Sequence, residues 1–188
     1  MLNHMNEEDH RQLSALVSPE RCSSGESNLR LHARDQSRHP AIKPEVVIWP
    51  ESSAEVAAVL RYAHQRRLPV TGWGAGSSLE GNPIPVRGGI VLSFARMNRI
   101  LEVRETDFQV DVQPGVIYKE MNHQLRHTGL FFPPDPGAGA TIGGMIANNA
   151  SGTRTVRYGS TKDYVQRLTV ALAGGEVIEI GNRASKSW

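Results

Sequence analysis

Glycine placement is the first feature of this 188-residue chain that points to chemistry. Twelve of its 18 glycines fall in two windows: Gly72, Gly74, Gly76, Gly81, Gly88 and Gly89, then Gly137, Gly139, Gly143, Gly144, Gly152 and Gly159. Glycine costs backbone entropy, so clusters of it mark loops that need positive φ or close approach of the backbone to another group. In the first window Gly74, Ala75, Gly76, Ser77 and Ser78 directly follow an apolar run. Successive backbone N–H groups there can point into one concavity, an anion-binding nest, with two serine hydroxyls as further donors. No Lys or Arg stands within residues 73–81, so an anion would be held mainly by amides and hydroxyls. A tight glycine turn without a ligand accounts for this window equally well.

Rival phosphate motifs fail on single positions. No GxxxxGK[ST] run is present, and a GxGxxG starting at Gly74 would need glycine where Leu79 stands, one starting at Gly137 where Ile142 stands. Nucleoside-triphosphate and nicotinamide binding are therefore unsupported. The second window, from Pro133 to Gly152, is rich in small residues, amides and hydroxyls but poor in charge. That suits a large neutral heterocycle with carbonyls and ring nitrogens, of which flavin is an example. Ile142, Met145 and Ile146 should bury, which argues against a disordered linker.

Elements must position these windows. Glu7 to Val17 reads as a short helix with Leu13, Leu16 and Val17 on one side, ended by Ser18-Pro19, and Cys22 to Asn28 as a loop. Val46-Val47-Ile48-Trp49 predicts a buried strand. Ser52 and Glu55 have capping-box spacing before a helical stripe of Val56, Val59, Leu60 and Ala63. Strands over Pro69 to Trp73 and Ile90 to Ser93 follow, and the strand–helix–strand order implies a parallel pair. After Arg96 the pattern changes. Ile100 to Val103 and Gln109 to Gln113 read as an antiparallel pair. Ile117, Met121 and Leu125 mark a helix stopped by Gly129. Leu168 to Leu172 and Val177 to Ile180 flank Ala173-Gly174-Gly175-Glu176 as a hairpin. The fold class expected is α+β: an N-terminal extension over residues 1–40, a small parallel α/β unit over about 41–96, and a mostly antiparallel unit with helices over 97–188.

Composition narrows the classes. Hydrophobic residues make up 39% and charged residues 21%, with a net charge of +2 and scattered basic side chains, so nucleic-acid binding is not expected. Cys22 is the single cysteine and fits a reducing compartment. The N-terminus lacks an apolar signal core, and no apolar run reaches the roughly 20 residues needed to span a bilayer. A soluble, cytoplasmic chain is the expectation.

Other chemistry-bearing residues have plainer explanations. His123 and His127 are four apart, but Gln124 stands where a zincin motif needs Glu and no third ligand is evident, so no metal site is expected. Tyr158 is either a site residue or a packed aromatic beside a glycine turn. Arg154, Arg157 and Lys162 read as solvated surface.

Taken together and in order, the windows resemble the FAD-linked oxidase family of the vanillyl-alcohol-oxidase type, and within it the cytochrome-type D-lactate dehydrogenases and the glycolate oxidase FAD subunit. The resemblance rests on the run Gly74 to Gly81, Met97-Asn98-Arg99-Ile100, Pro114-Gly115-Val116, Pro134-Asp135-Pro136-Gly137, Thr141 to Met145, Asn149-Ala150-Ser151-Gly152 and Arg157-Tyr158-Gly159. It covers roughly residues 30–188. It implies a two-subdomain fold with FAD between the subdomains. Gly74, Ala75, Gly76, Ser77 and Ser78 would cradle the pyrophosphate. Pro134, Asp135, Thr141, Ile142, Gly143, Gly144, Asn148, Ser151 and Gly152 would line the ribityl chain and flavin ring, and Ile178 would lie near the adenine.

Neither window contains His or Cys, so non-covalent flavin is expected. The implied reaction is oxidation of a small 2-hydroxy acid, D-lactate or glycolate, with electrons passed to a cytochrome or quinone. Family members continue past the equivalent of Lys186-Ser187-Trp188 with strands that complete the flavin-binding domain and a substrate cap that carries the catalytic groups. The expectation is therefore a flavin holder that is inactive alone and binds FAD at best incompletely, cytoplasmic or peripheral to a membrane. Two other implied readings are a non-catalytic FAD-binding subunit completed by a partner chain and a FAD-dependent ether-lipid synthase.

Overall fold

The computed structural model describes residues 2–184; Lys186, Ser187 and Trp188 lie outside the described residues. The chain divides into two compact units, residues 1–96 with 166–188, and residues 97–165.

The first unit is built on a four-stranded sheet. Its strands are β1 (Cys22–Ser23), β2 (Val46–Ile48), β3 (Val70–Trp73) and β4 (Ile90–Ser93), in the order β1-β2-β4-β3. β2 and β3 both pair with β4 in parallel, so the two strands joined by the helical crossover are not neighbours: the third apolar run inserts between them. β2 and β4 are buried throughout, as unbroken apolar runs should be when both faces of a parallel sheet are covered. β1 comes from the stretch expected to be a loop, and Glu26–Leu31 beyond it forms a short helix, α2, after α1 (Glu7–Val17). A two-residue strand carries too little pattern to be read from sequence.

Helix α1 buries Leu13 and Val17 but leaves Leu16 exposed, and it buries Asp9 completely. That carboxylate accepts the Tyr62 hydroxyl at 2.8 Å and the Arg66 guanidinium at 2.8 Å, both from α3 (Ser53–Arg66). The Arg66 bond holds the Asp9 carboxyl below its usual range despite its burial. Ser52 caps α3 by accepting from the Glu55 N–H. Glu55 does not close the box; its carboxylate takes the Arg21 guanidinium through two bonds, 2.6 and 2.8 Å, and the Glu51 N–H.

The second unit holds β5 (Ile100–Arg104) antiparallel to β6 (Gln109–Val112), then α4 (Tyr118–Leu125), α5 (Ile142–Ala147) and α6 (Thr155–Tyr158). Its core is Val116, Tyr118, Met121, Leu125, Ile142 and Met145. Helix α4 stops at Leu125, before Gly129, and α5 lies inside the second glycine window, where only a loop was expected. The final hairpin, β7 (Arg167–Ala171) with β8 (Val177–Gly181), groups with the first unit, not the second as the order of elements suggested. The local reason is Gly175, whose backbone packs against α3 near Ala57 and Arg61. The Arg61 guanidinium also donates to the Gly175 carbonyl at 3.1 Å. Residues 1–40 are likewise not an appendage: they supply β1, α1 and α2 to this unit.

Candidate functional site

The first window leaves β3 directly and turns at Gly76, whose φ of +63° is left-handed. A Cβ at Gly76 would lie 2.6 Å from the buried Trp73 indole, so glycine is required on both counts. Among the described residues, no acceptor meets the backbone N–H groups of Ala75, Gly76, Ser77 or Ser78. These are the donors an anion would use, and their freedom fits a pyrophosphate cradle. The two hydroxyls differ. That of Ser78 is engaged, accepting from the Glu80 N–H at 3.1 Å. The Ser77 hydroxyl has no hydrogen-bond partner among the described residues.

Asp35 was not singled out from sequence. Its buried carboxylate accepts the Gly81 N–H at 2.8 Å and the Ser37 N–H at 3.0 Å. Burial pushes this carboxyl up, but the bonds from Ser37, Gly81 and Ser78 outweigh it and leave it below the ordinary value.

In the second unit, Pro133 and Pro134 are buried, and Asp135 is half-buried. The Asp135 carboxylate takes the Tyr118 hydroxyl in a short bond and the Gly137 N–H at 3.0 Å. The Tyr118 bond, with help from Gly137, holds the Asp135 carboxyl below its usual range. Burial first, and then that same bond, push the Tyr118 phenol up to about 12. Gly152 lies against this loop so closely that a Cβ would sit 1.6 Å from the Asp135 carbonyl oxygen. Residues 149–150 are tied in turn by Thr161, fully buried with its hydroxyl on the Ala150 carbonyl at 2.7 Å, and by the Lys162 N–H on Asn149. Thr161 carries no sequence signal that would have revealed it.

Thr141 to Gly144 play a different part from donors. Thr141 caps α5 by accepting the Gly144 N–H, and the Ile142 and Gly143 N–H groups bond the Val116 and Pro114 carbonyls, both at 2.8 Å. Thr141 and Ile142 are buried. These residues fix α5 onto the segment 114–116, so their amides are spent inside the protein. Asn148 and Ser151 are exposed, and the Asn148 side-chain amide donates to the Gly144 carbonyl at 3.0 Å. Ile178 is 38% exposed on β8. The first window and Ile178 thus belong to one unit and the second window to the other.

His123 and His127 are exposed, and His127 lies past the end of α4. Among the described residues no group of three metal-capable side chains occurs. Tyr158 packs edge-on against Phe131, with Arg157 over its ring. No described helix is long and apolar enough to cross a membrane.

A glycine loop at the end of a parallel strand, with amides that meet no acceptor among the described residues, suits a phosphate-linked ligand. The chain belongs to the FAD binding domain family, whose model matches residues 44–181, and FAD is the cofactor of that domain. It is 39% identical over 172 residues to a probable mitochondrial D-lactate dehydrogenase of Danio rerio, covering 92% of this chain and 35% of that protein. It is 37% identical over 177 residues to the glycolate oxidase subunit GlcD of Bacillus subtilis, covering 93% of this chain and 38% of that one. The chain thus spans little more than a third of these relatives. An alkyldihydroxyacetonephosphate synthase structure superimposes with a TM-score of 0.84 at 23% identity, over 96% of this chain and 39% of that chain, a likeness of fold.

Proposed function

We propose that this chain holds FAD non-covalently for the oxidation of a small 2-hydroxy acid, D-lactate or glycolate, to the 2-oxo acid. The observation that carries the reading is the row of unpartnered amides from Ala75 to Ser78 in a chain of the FAD binding domain family. The names of the Danio rerio and Bacillus subtilis relatives supply the substrate class. The ether-lipid synthase reading rests on fold alone and is the weaker.

Bound FAD supplies the hydride-accepting chemistry, while the protein supplies binding and orientation. In the proposed site the N–H groups of Ala75, Gly76, Ser77 and Ser78, with the Ser77 hydroxyl, hold the pyrophosphate. Gly74 lets the chain leave β3 into the loop. Pro134 and Asp135 give the second loop its shape, with Asp135 fixed by Tyr118. Thr141, Ile142, Gly143 and Gly144 act by seating α5, and Asn148, Ser151 and Gly152 present the surface towards the ribityl chain and ring. Ile178 packs at the adenine end. No residue of this chain is assigned as the catalytic base.

A separate electron acceptor, a cytochrome or quinone, completes the proposal, and a partner subunit is supported by the word subunit in the Bacillus relative's name. A cytoplasmic or membrane-peripheral location stands against a relative named mitochondrial, and cell fractionation decides it. The central test is a visible spectrum of the purified chain titrated with FAD: perturbed flavin bands with saturable binding are expected. Spectra that remain those of free FAD throughout would end the reading.

A further inference from the structure

Residues 32–39 precede the matched domain, which begins at residue 44, yet they grip the glycine loop along its length. At its start, the buried His32 ring lies 4.9 Å from the Trp73 indole, the same ring that fills the space beneath Gly76. In the middle, the Gln36 N–H donates to the Ser78 carbonyl at 3.0 Å. At its end, the Asp35 carboxylate takes the Gly81 N–H at 2.8 Å. There the His39 ring also packs so closely on Gly81 that a Cβ would meet it at 2.6 Å. Gly81 itself has a φ of +79°, so the loop reverses where it is gripped. The two segments wall one open cavity of about 440 Å³, lined by Gln36, Ser37, Arg38 and His39 from one side and Leu79 from the other.

We infer that segment 32–39 is a clamp that sets the shape of the cofactor loop, with Asp35 as its positioning residue. The inference rests on the FAD-holding role proposed above. Amides from Ala75 to Ser78 form a nest only if both ends of the loop are fixed, since small residues impose little conformation of their own. Trp73 fixes one end from within the sheet. The other end has no strand or helix to hold it, and the Asp35 carboxylate, which accepts the Gly81 and Ser37 N–H groups, takes that part. A buried carboxylate with two backbone N–H donors is a firm anchor because hydrogen bonds to an ionised group are stronger than neutral ones.

Asp35→Asn in the 188-residue chain tests this. It keeps the volume and replaces one acceptor by an NH2 group facing an N–H donor. We expect FAD binding, followed by quenching of flavin fluorescence, to weaken about tenfold. Amide exchange across residues 74–81 should speed up by a similar factor while exchange in α4 stays as in the parent chain. Parent-like affinity, or parent-like exchange in the loop, would overturn the assignment. If the parent chain binds no FAD, the functional reading fails, and exchange in ligand-free protein alone decides the clamp. Should Asp35→Asn lose protection everywhere, His39→Ala removes only the ring packed on Gly81 from the same clamp. Faster exchange at Gly81 in that variant upholds the clamp, and unchanged exchange overturns it.

Discussion

At the scale of single residues, the second unit turns on the pair Tyr118 and Asp135. Tyr118 is buried in the core and delivers its hydroxyl to a carboxylate held below its ordinary pKa by that bond. A carboxyl with a depressed folded pKa contributes stability that is present above the unfolded value, about 3.9, and lost as pH falls through the folded value. Tyr118→Phe should therefore cost about 1.5–3 kcal/mol near neutral pH, the range for a hydrogen bond to a charged group. The cost should shrink below about pH 4. Urea unfolding of both proteins at pH 7 and pH 3 checks this, and an equal cost at both pH values would show that the bond to ionised Asp135 is not the cause. Ser78 gives a second lesson. The sequence offers two equivalent serine hydroxyls, and only the turn that brings the Glu80 N–H onto Ser78 separates them.

At the scale of elements, the β7–β8 hairpin shows how one glycine joins distant parts of the chain. Its turn glycine, Gly175, has a φ of +85°, and an added Cβ would lie 2.5 Å from the Ala57 carbonyl of α3. Left-handed strain and overpacking then act together, so Gly175→Ala should destabilise the first unit by about 2–4 kcal/mol. At Gly174 the added Cβ meets only the Glu176 carboxylate, which can swing away. Thermal unfolding of the two variants should separate them clearly. Similar losses in both would mean that turn flexibility, not contact with α3, sets the cost. Helix α3 itself illustrates what spacing can and cannot tell. Ser52 caps it as read, but Glu55 faces Arg21, 34 residues earlier in the chain, and that partner outcompetes the local box.

At the scale of the whole molecule, a cofactor that binds only the folded chain must stabilise it. With FAD at a hundredfold excess over its dissociation constant, stability should rise by about 2.7 kcal/mol. For a chain of this size that is a midpoint increase of about 5–10 °C. A thermal scan with and without FAD reads it directly, and an unchanged midpoint at saturating FAD would contradict binding to the folded state. The two-unit organisation also belongs to this scale. The chain returns to its first unit after residue 165, so the amides of the glycine loop and Ile178 share a unit although about a hundred residues separate them in sequence.

The sequence by itself determined the elements whose pattern is local. Apolar runs made the buried strands β2 and β4, period-3.6 stripes made α3 and α4, and Gly174-Gly175 made the last hairpin. It also marked the first window as a turn of small residues after a strand, while the open amides of Ala75 to Ser78 emerged only in the folded chain. What only the tertiary structure decided depends on partners far apart in the chain. β4 inserts between β2 and β3, and the hairpin joins the first unit. Thr161 and Tyr118 hold the second window, and α5 spends the amides of Ile142 and Gly143 on the segment 114–116. Asp35 grips Gly81 from 46 residues upstream. The physical reason is common to all of them. Propensity and periodicity act over a few residues, whereas hydrogen-bond satisfaction of a buried carboxylate, amide or hydroxyl is settled by whichever group the fold brings within 3 Å.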